Sequence, residues 1–178
     1  ISEEDLKYED DSPIGDIKKL KPNPEKSIPE VKHIYEGNSP IDDVSWMELL
    51  ESDKSLQHDV VSNLENTTLL TRVLASEDDV ITRKILKLLN DITADTENAD
   101  KLGENILIIN ALINKLDSNK PFIRNSAINV LTKVSESLNN QNALISNTKL
   151  INAMVKGLQT SDSTYHRKLL SIAGTLSK

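Results

Sequence analysis

Six polar residues recur along the chain at a spacing that could hold an extended peptide. They form three pairs whose members are four residues apart, and successive pairs are 42 residues apart. Side chains four positions apart share one face of an α-helix, and a carboxamide can both donate and accept a hydrogen bond. The pattern predicts a polar ladder that binds a protein partner, and an ordinary solvated face is the simpler explanation. The ladder consists of Thr68, Arg72, Asn110, Asn114, Asn152 and Lys156.

Residues suited to catalysis or metal binding are not arranged for either task. The sequence has no glycine-rich phosphate loop, no H-E-x-x-H pair and no nucleophile elbow. His33, His58 and His166 lie in segments too far apart to suggest a shared ligand, and each is expected at the surface. Paired acids such as Asp42 with Asp43 stand at helix starts, where capping explains them. We therefore expect no enzyme, no cofactor and no metal site.

The elements that position the ladder follow the same period. Arginines recur 41 and 43 residues apart at Arg83, Arg124 and Arg167, each followed by apolar residues three and six positions later. A plain structural alternative for these arginines, which stand near helix starts, is pairing with acids of the preceding repeat. A period near 42 residues made only of helical segments is typical of armadillo and HEAT arrays. The expected fold is all-α, an armadillo/HEAT-like right-handed solenoid, with the ladder on the closing helices that line its concave side.

Each repeat is expected to contain a long, a short and a second long helix. The folded part begins at Ser39-Pro40, an N-cap followed by proline in the first turn. Trp46, the only tryptophan, is expected to be a structural anchor rather than a binding residue. Asn119-Lys120-Pro121 should open the next unit. The later helices are expected at about 77–93, 97–102, 105–116, 121–138, 139–147 and 149–158, and from 163 to the end.

The two ends of the chain differ from the repeats. Residues 1–38 are polar and interrupted by prolines, which predicts a poorly structured arm with short helices at most at 14–20 and 29–35. Residues 1–6, ISEEDL, match the end of the c-Myc epitope tag or begin a native helix. The repeat domain should span 39–178. It ends one helix into a further unit, so the natural protein is expected to continue, leaving four apolar residues without cover: Leu169, Leu170, Ile172 and Leu176.

Charge and composition narrow the partner class. Residues 1–79 hold 20 acidic and 8 basic side chains, and 80–178 hold 8 and 13, so −12 and +5 give the net −7. An acidic chain does not favour nucleic acid as a partner. The sequence contains no run of about 18 apolar residues, the length needed to span a membrane.

The cellular compartment is left open by the sequence. Cysteine is absent, which fits either an oxidising or a reducing compartment, and Asn66-Thr67-Thr68 is a glycosylation sequon that permits a lumenal location.

A family resemblance rests on the order of several segments. Residues 97–102, ENADKL, lead into 109–112, INAL, followed by 123–127, IRNSA, and 139–141, NNQ. This order resembles the D-N-A, L-R and Q-N-N course of armadillo-type nucleotide-exchange factors for Hsp70 chaperones. The segment 2–7, SEEDLK, and the helix holding His58 are more similar to the endoplasmic-reticulum branch that serves BiP. The resemblance covers roughly residues 46–178.

The resemblance implies a non-enzymatic co-chaperone in the endoplasmic-reticulum lumen. Such a protein, expected to be a monomer, clasps the ATPase domain of the chaperone and tilts one subdomain so that ADP leaves. The expected contacts are the polar ladder together with Lys54 and His58, which lie one helical turn apart. Two alternatives stay open: an adaptor for extended peptides, with a cytoplasmic location also possible, and a structural fragment of a larger assembly.

Overall fold

A computed structural model of the protein describes residues 40–177, except the side chains of residues 40–44, 49, 55 and 64–66. The predictions for the N-terminal arm, its short helices, the tag-like residues and His33 lie outside this range. Within it the chain forms ten α-helices and no strand. The helices are α1 (Pro40–Ser52), α2 (Lys54–Ser62), α3 (Leu64–Leu74), α4 (Asp79–Ile92), α5 (Thr96–Glu104), α6 (Ile106–Lys115), α7 (Pro121–Ser135), α8 (Leu138–Ile145), α9 (Thr148–Leu158) and α10 (Ser163–Leu176).

The helices stack as three-helix repeats. Each helix contacts the helix three places later, so α1, α4, α7 and α10 form one row, α2, α5 and α8 a second, and α3, α6 and α9 a third. The long helices α4, α7 and α10 begin at Asp79, Pro121 and Ser163, so 121 − 79 and 163 − 121 both give 42. The prediction of an all-α helical-repeat fold is confirmed. The right-handed coiling of the array stays a prediction.

The core is aliphatic and follows the same 42-residue register. Ile85, Ala127 and Leu169 are equivalent positions, one repeat apart, and all three are fully buried. One contiguous cluster runs from α1 to α10. Trp46 belongs to it with 5% of its surface exposed, which confirms its role as an anchor. Because each fully buried Leu or Ile is worth about 1.5–3 kcal/mol, stacking rather than helix propensity holds the repeats together.

The arginines, in contrast, do not share one repeat position. A 42-residue step from Arg124 leads back to Thr82 and forward to His166, whereas Arg83 and Arg167 belong one position later in the repeat. Burial agrees, since the Arg124 side chain is only 14% exposed while Arg83 and Arg167 are exposed. The period inferred from the arginines was therefore out of step by one residue. Burial, and not charge, sets the register.

The expected arginine pairing was also wrong in direction. The Arg124 Nη2 atom lies 3.5 Å from Oδ2 of Asp162, which caps α10 in the following repeat. The Arg83 guanidinium lies 4.5 Å from the ring centroid of Phe122, again in the following repeat. These two arginines reach forward, because the next long helix packs beside each of them.

The end of the array is better covered than the sequence suggests. Leu169 and Ile172 are fully buried against the preceding helices, and Leu176 packs against the core with part of its surface exposed. Only Leu170 matches the expectation of an uncovered leucine, with 58% of its surface exposed.

The predicted helix limits are close to those of the structure, with one exception. The helix α7 was predicted to run to residue 138, but it ends at Ser135, and residue 138 is the first residue of α8.

A capping prediction tests the start of α4. The Asp78 carboxylate accepts hydrogen bonds from the backbone N–H groups of Val80 at 2.7 Å and Ile81 at 3.2 Å. Replacing Asp78 by alanine removes both bonds and should lower the free energy of unfolding by about 1 kcal/mol. Glu77→Ala is the control, because Glu77 is exposed and caps nothing. Urea unfolding measures both, and equal losses would contradict the cap.

Candidate partner-binding surface

The polar ladder lies on three neighbouring helices. Its three pairs belong to α3, α6 and α9, the third helices of successive repeats, and these contact one another in that order. Five of its six side chains are exposed, and Asn110 is half-buried. The structure thus brings the ladder onto one row of helices, as the period required. The concavity of this face stays a prediction.

A groove between α6 and α9 collects half of the ladder. We call it the α6–α9 groove; its volume is about 340 Å³. Besides the apolar Ile113 and Ala153, it is lined by Asn114, Asp117, Lys149, Asn152 and Lys156. Two lysines and one acid leave it with a positive charge. A polar groove of this kind suits a peptide segment that carries carboxylates.

Two amides in this groove are open to a partner. Among the described residues, the side chains of Asn114 and Asn152 make no hydrogen bond, and both are exposed. Each amide can donate and accept, so each can engage one peptide group of an added strand. Lys156 contributes a charge, although its Nζ atom lies 2.9 Å from Asp117 Oδ1. That pair is 66% and 52% exposed, so it is worth at most about 1 kcal/mol and exchanges readily.

Asn110 has a different task from the other ladder amides. Its Oδ1 atom accepts a hydrogen bond of 3.3 Å from the Nδ2 group of Asn147. Asn147 in turn caps α9, because its Oδ1 accepts from the Leu150 backbone N–H at 3.2 Å. Asn110 therefore holds the start of the next closing helix. We therefore assign the Asn110 side chain to the packing of the repeats rather than to partner binding.

The first pair of the ladder is placed on α3. Thr68 and Arg72 are both exposed, and both already interact with other residues of the chain. Arg72 lies in the last turn of α3, where the helix dipole favours a positive charge. Partner contacts at these two positions stay a prediction.

Lys54 and His58 lie outside the α6–α9 groove. Both are exposed on α2, the short helix of the first repeat. The His58 Nδ1 atom is 3.1 Å from Oδ1 of Asn98, a buried residue of α5, and must donate because that oxygen only accepts. This bond ties the first repeat to the second. The structure therefore gives His58 a packing role, and a partner role stays a prediction.

The asparagines of the D-N-A and N-N-Q segments also have internal partners. Asn98 and Asn140 are equivalent residues, 7% and 2% exposed. Their Nδ2 groups donate to carbonyls in the last turns of the preceding long helices, at Ile92 and Val134 respectively, over 3.4 and 3.5 Å. Each short helix is thus fixed to the long helix before it. In both segments the asparagine therefore serves the fold.

Sequence reasoning missed two groove residues. Asp117 follows Asn114 by three positions, and Lys149 precedes Asn152 by three. Residues three apart share a helix face, so this spacing could have placed both beside the ladder. They were missed because only positions repeating every 42 residues were considered.

Other kinds of site are not found in the described part of the chain. No group of three or more His, Asp or Glu side chains among residues 40–177 is placed to hold a metal ion. No helix in this range is long and apolar enough to cross a bilayer.

Comparison with known proteins supports the fold alone. No protein-family model matches the sequence, and no curated protein matches it significantly. The structure is similar to the crystal structure of an engineered protein, a structural genomics target, with a TM-score of 0.53 and 16% sequence identity. The match covers 76% of this chain and 62% of that protein. At 16% identity this similarity supports the helical architecture and implies nothing about function.

Proposed function

We propose that this protein is a non-enzymatic nucleotide-exchange factor that binds the ATPase domain of an Hsp70-class chaperone. The proposal rests on the resemblance of its segments to armadillo-type exchange factors. The observation that carries it is the pair of unpartnered exposed amides, Asn114 and Asn152, on adjacent closing helices. Beside them the exposed Lys156 ion pair can be exchanged for a partner's carboxylate.

Exchange requires binding energy and no catalytic group. A partner that binds the open nucleotide-binding lobe more tightly than the closed one shifts the lobe toward the open state. Raising the open state from a hundredth to an equal share needs a differential affinity of about 100-fold, or about 2.7 kcal/mol. An interface of ordinary size can supply that difference. On this proposal the chaperone is BiP, the compartment is the endoplasmic-reticulum lumen, and the protein acts as a monomer.

Release of labelled ADP from purified BiP tests the proposal. We expect the wild-type chain to accelerate release, and Lys156→Glu combined with Arg72→Glu to weaken that effect by about tenfold, because charge reversal replaces attraction by repulsion. Lys101→Glu is the matched control, since Lys101 forms an exposed ion pair with Glu104 on α5, away from the groove. Absence of any binding to the chaperone would exclude the proposal.

A second function is favoured by the same amides. An adaptor would bind an isolated extended peptide through Asn114 and Asn152, with no effect on nucleotide release. Peptide-array binding that is lost in Asn114→Ala and Asn152→Ala variants, without accelerated ADP release, would favour this alternative. A structural fragment of a larger assembly would show neither behaviour.

A further inference from the structure

A second groove, on the row of long helices, has an unusual charge balance. It lies between α7 and α10, has a volume of about 520 Å³, and is called here the α7–α10 groove. Three of its lining residues are cationic, namely Lys133, Arg167 and Lys168. Its other lining side chains are hydroxyls or amides, and none is a carboxylate.

The preceding repeat shows that this balance is not imposed by the fold. One repeat earlier, the residue equivalent to Lys133 is Asp91, because 133 − 42 = 91. The lysines of α4 are neutralised there, with Lys84 Nζ 3.2 Å from a Glu48 carboxylate oxygen and Lys87 Nζ 3.1 Å from one of Glu51. The lysines of α4 are thus paired with carboxylates, whereas the three groove cations of α7 and α10 form no ion pair among the described residues.

Two of the three cations are held in place by backbone groups. The Lys133 ammonium donates to the carbonyl of Asn90, and the Lys168 ammonium donates to that of Asn125 at 3.4 Å. A carbonyl positions an ammonium without cancelling its charge. Both side chains are half-buried, so less entropy is lost when a ligand binds.

The acid that attracts Lys168 is already engaged. Asp162 attracts Lys168, but its carboxylate lies 3.5 Å from the Arg124 guanidinium and accepts the backbone N–H groups that start α10. Burial lowers the pKa of Lys168, and attraction to Asp162 compensates for this only in part. A carboxylate brought by a ligand would supply that compensation.

We propose that the α7–α10 groove binds an acidic segment of a protein partner. Three cations along one groove, with hydroxyls and amides between them, match successive Asp or Glu side chains on an extended or helical peptide. The groove is lined by the long helices, whereas the α6–α9 groove is lined by third helices. This inference does not depend on the proposed exchange function.

Fluorescence anisotropy with the full chain tests it. The probe is a labelled peptide rich in Glu and Asp, and its comparison peptide has Gln and Asn at the same positions. We expect the acidic probe to bind and the amide probe to bind at least about tenfold more weakly. Binding of the acidic probe should also weaken with added salt, because solvent-exposed charges are screened beyond about 8 Å at physiological ionic strength.

Two equivalent arginines provide a matched pair of variants. Arg167 lines the groove, and Arg83 occupies the same repeat position two units earlier, since 83 + 42 + 42 = 167. Arg167→Glu should weaken acidic-probe binding by about tenfold, and Arg83→Glu by no more than about twofold. Arg167 is exposed and makes no hydrogen bond or ion pair among residues 40–177, so its variant should fold.

Several results would overturn the inference. Equal losses in Arg167→Glu and Arg83→Glu would show general attraction to the basic half of the chain. No binding of the acidic probe, or equal binding of the amide probe, would exclude an acidic ligand. Inorganic phosphate that displaces the probe as effectively as unlabelled acidic peptide would assign the groove to small anions rather than to a protein segment.

Discussion

Replacing Gly103 by alanine is expected to lower the free energy of unfolding by about 2 kcal/mol or more. A Cβ atom at this position would lie 2.0 Å from Nδ2 and 2.3 Å from Cγ of Asn140, which is far below van der Waals contact. Asn140 cannot turn aside without loss, because it is 2% exposed and donates to carbonyls of α5 and α7. The methyl group would therefore displace the buried Asn140 amide from its acceptors at the contact between two short helices.

Gly174→Ala is the matched control for this prediction. A Cβ atom at Gly174 in α10 meets no other atom within 4 Å. Alanine there should be neutral or stabilise the helix by up to about 1 kcal/mol, because glycine is a poor helix former. Thermal unfolding should place Gly103→Ala at least about 4 °C below wild type. Equal melting temperatures for the two variants would show that the contact with Asn140 relaxes freely.

Replacing Tyr165 by alanine is expected to cost about 3–5 kcal/mol, the range for a large buried aromatic. Tyr165 is fully buried at the start of α10, against Gly157 of α9 and under the Arg124 guanidinium, 5.5 Å from the ring centroid. Its hydroxyl donates to the carbonyl of Leu116 at 3.3 Å. Tyr165→Phe keeps the ring and loses only this bond, so it should cost about 1 kcal/mol.

The hydroxyl of Tyr165 also makes the free energy of unfolding depend on pH in the alkaline range. Burial raises its pKa to about 12, above the usual value near 10. The folded state therefore favours the neutral phenol. The corresponding stabilisation is complete below about pH 10 and is lost as the pH rises toward 12.

Urea unfolding across this pH range separates the two contributions of Tyr165. Wild type should lose stability more steeply than Tyr165→Phe above about pH 10. Ultraviolet titration of wild type should show a tyrosine ionising near pH 12 that is missing from Tyr165→Phe. Parallel stability curves for wild type and Tyr165→Phe would contradict the raised pKa. A cost below about 1 kcal/mol for Tyr165→Ala would contradict its place in the core.

The sequence by itself determined the helices, their order and the aliphatic core. These features depend on neighbours three and four residues apart and on local caps such as Asp78, so the information lies within each segment. The 42-residue repetition then required the helices to stack in rows. It also placed Asn114 and Asn152 on adjacent third helices, where the structure has them.

Only the tertiary structure decided which polar groups are free and which are used internally. Asn110 and Asn114 share a helix and a residue type, yet Asn110 bonds Asn147, 37 residues away, while Asn114 has no bond among residues 40–177. Burial differs in the same way between two neighbouring residues of one type: Leu169 is fully buried, whereas Leu170 is exposed. Such differences depend on what the next repeat places opposite each side chain. That neighbour is fixed by long-range packing, and a local sequence pattern does not contain it.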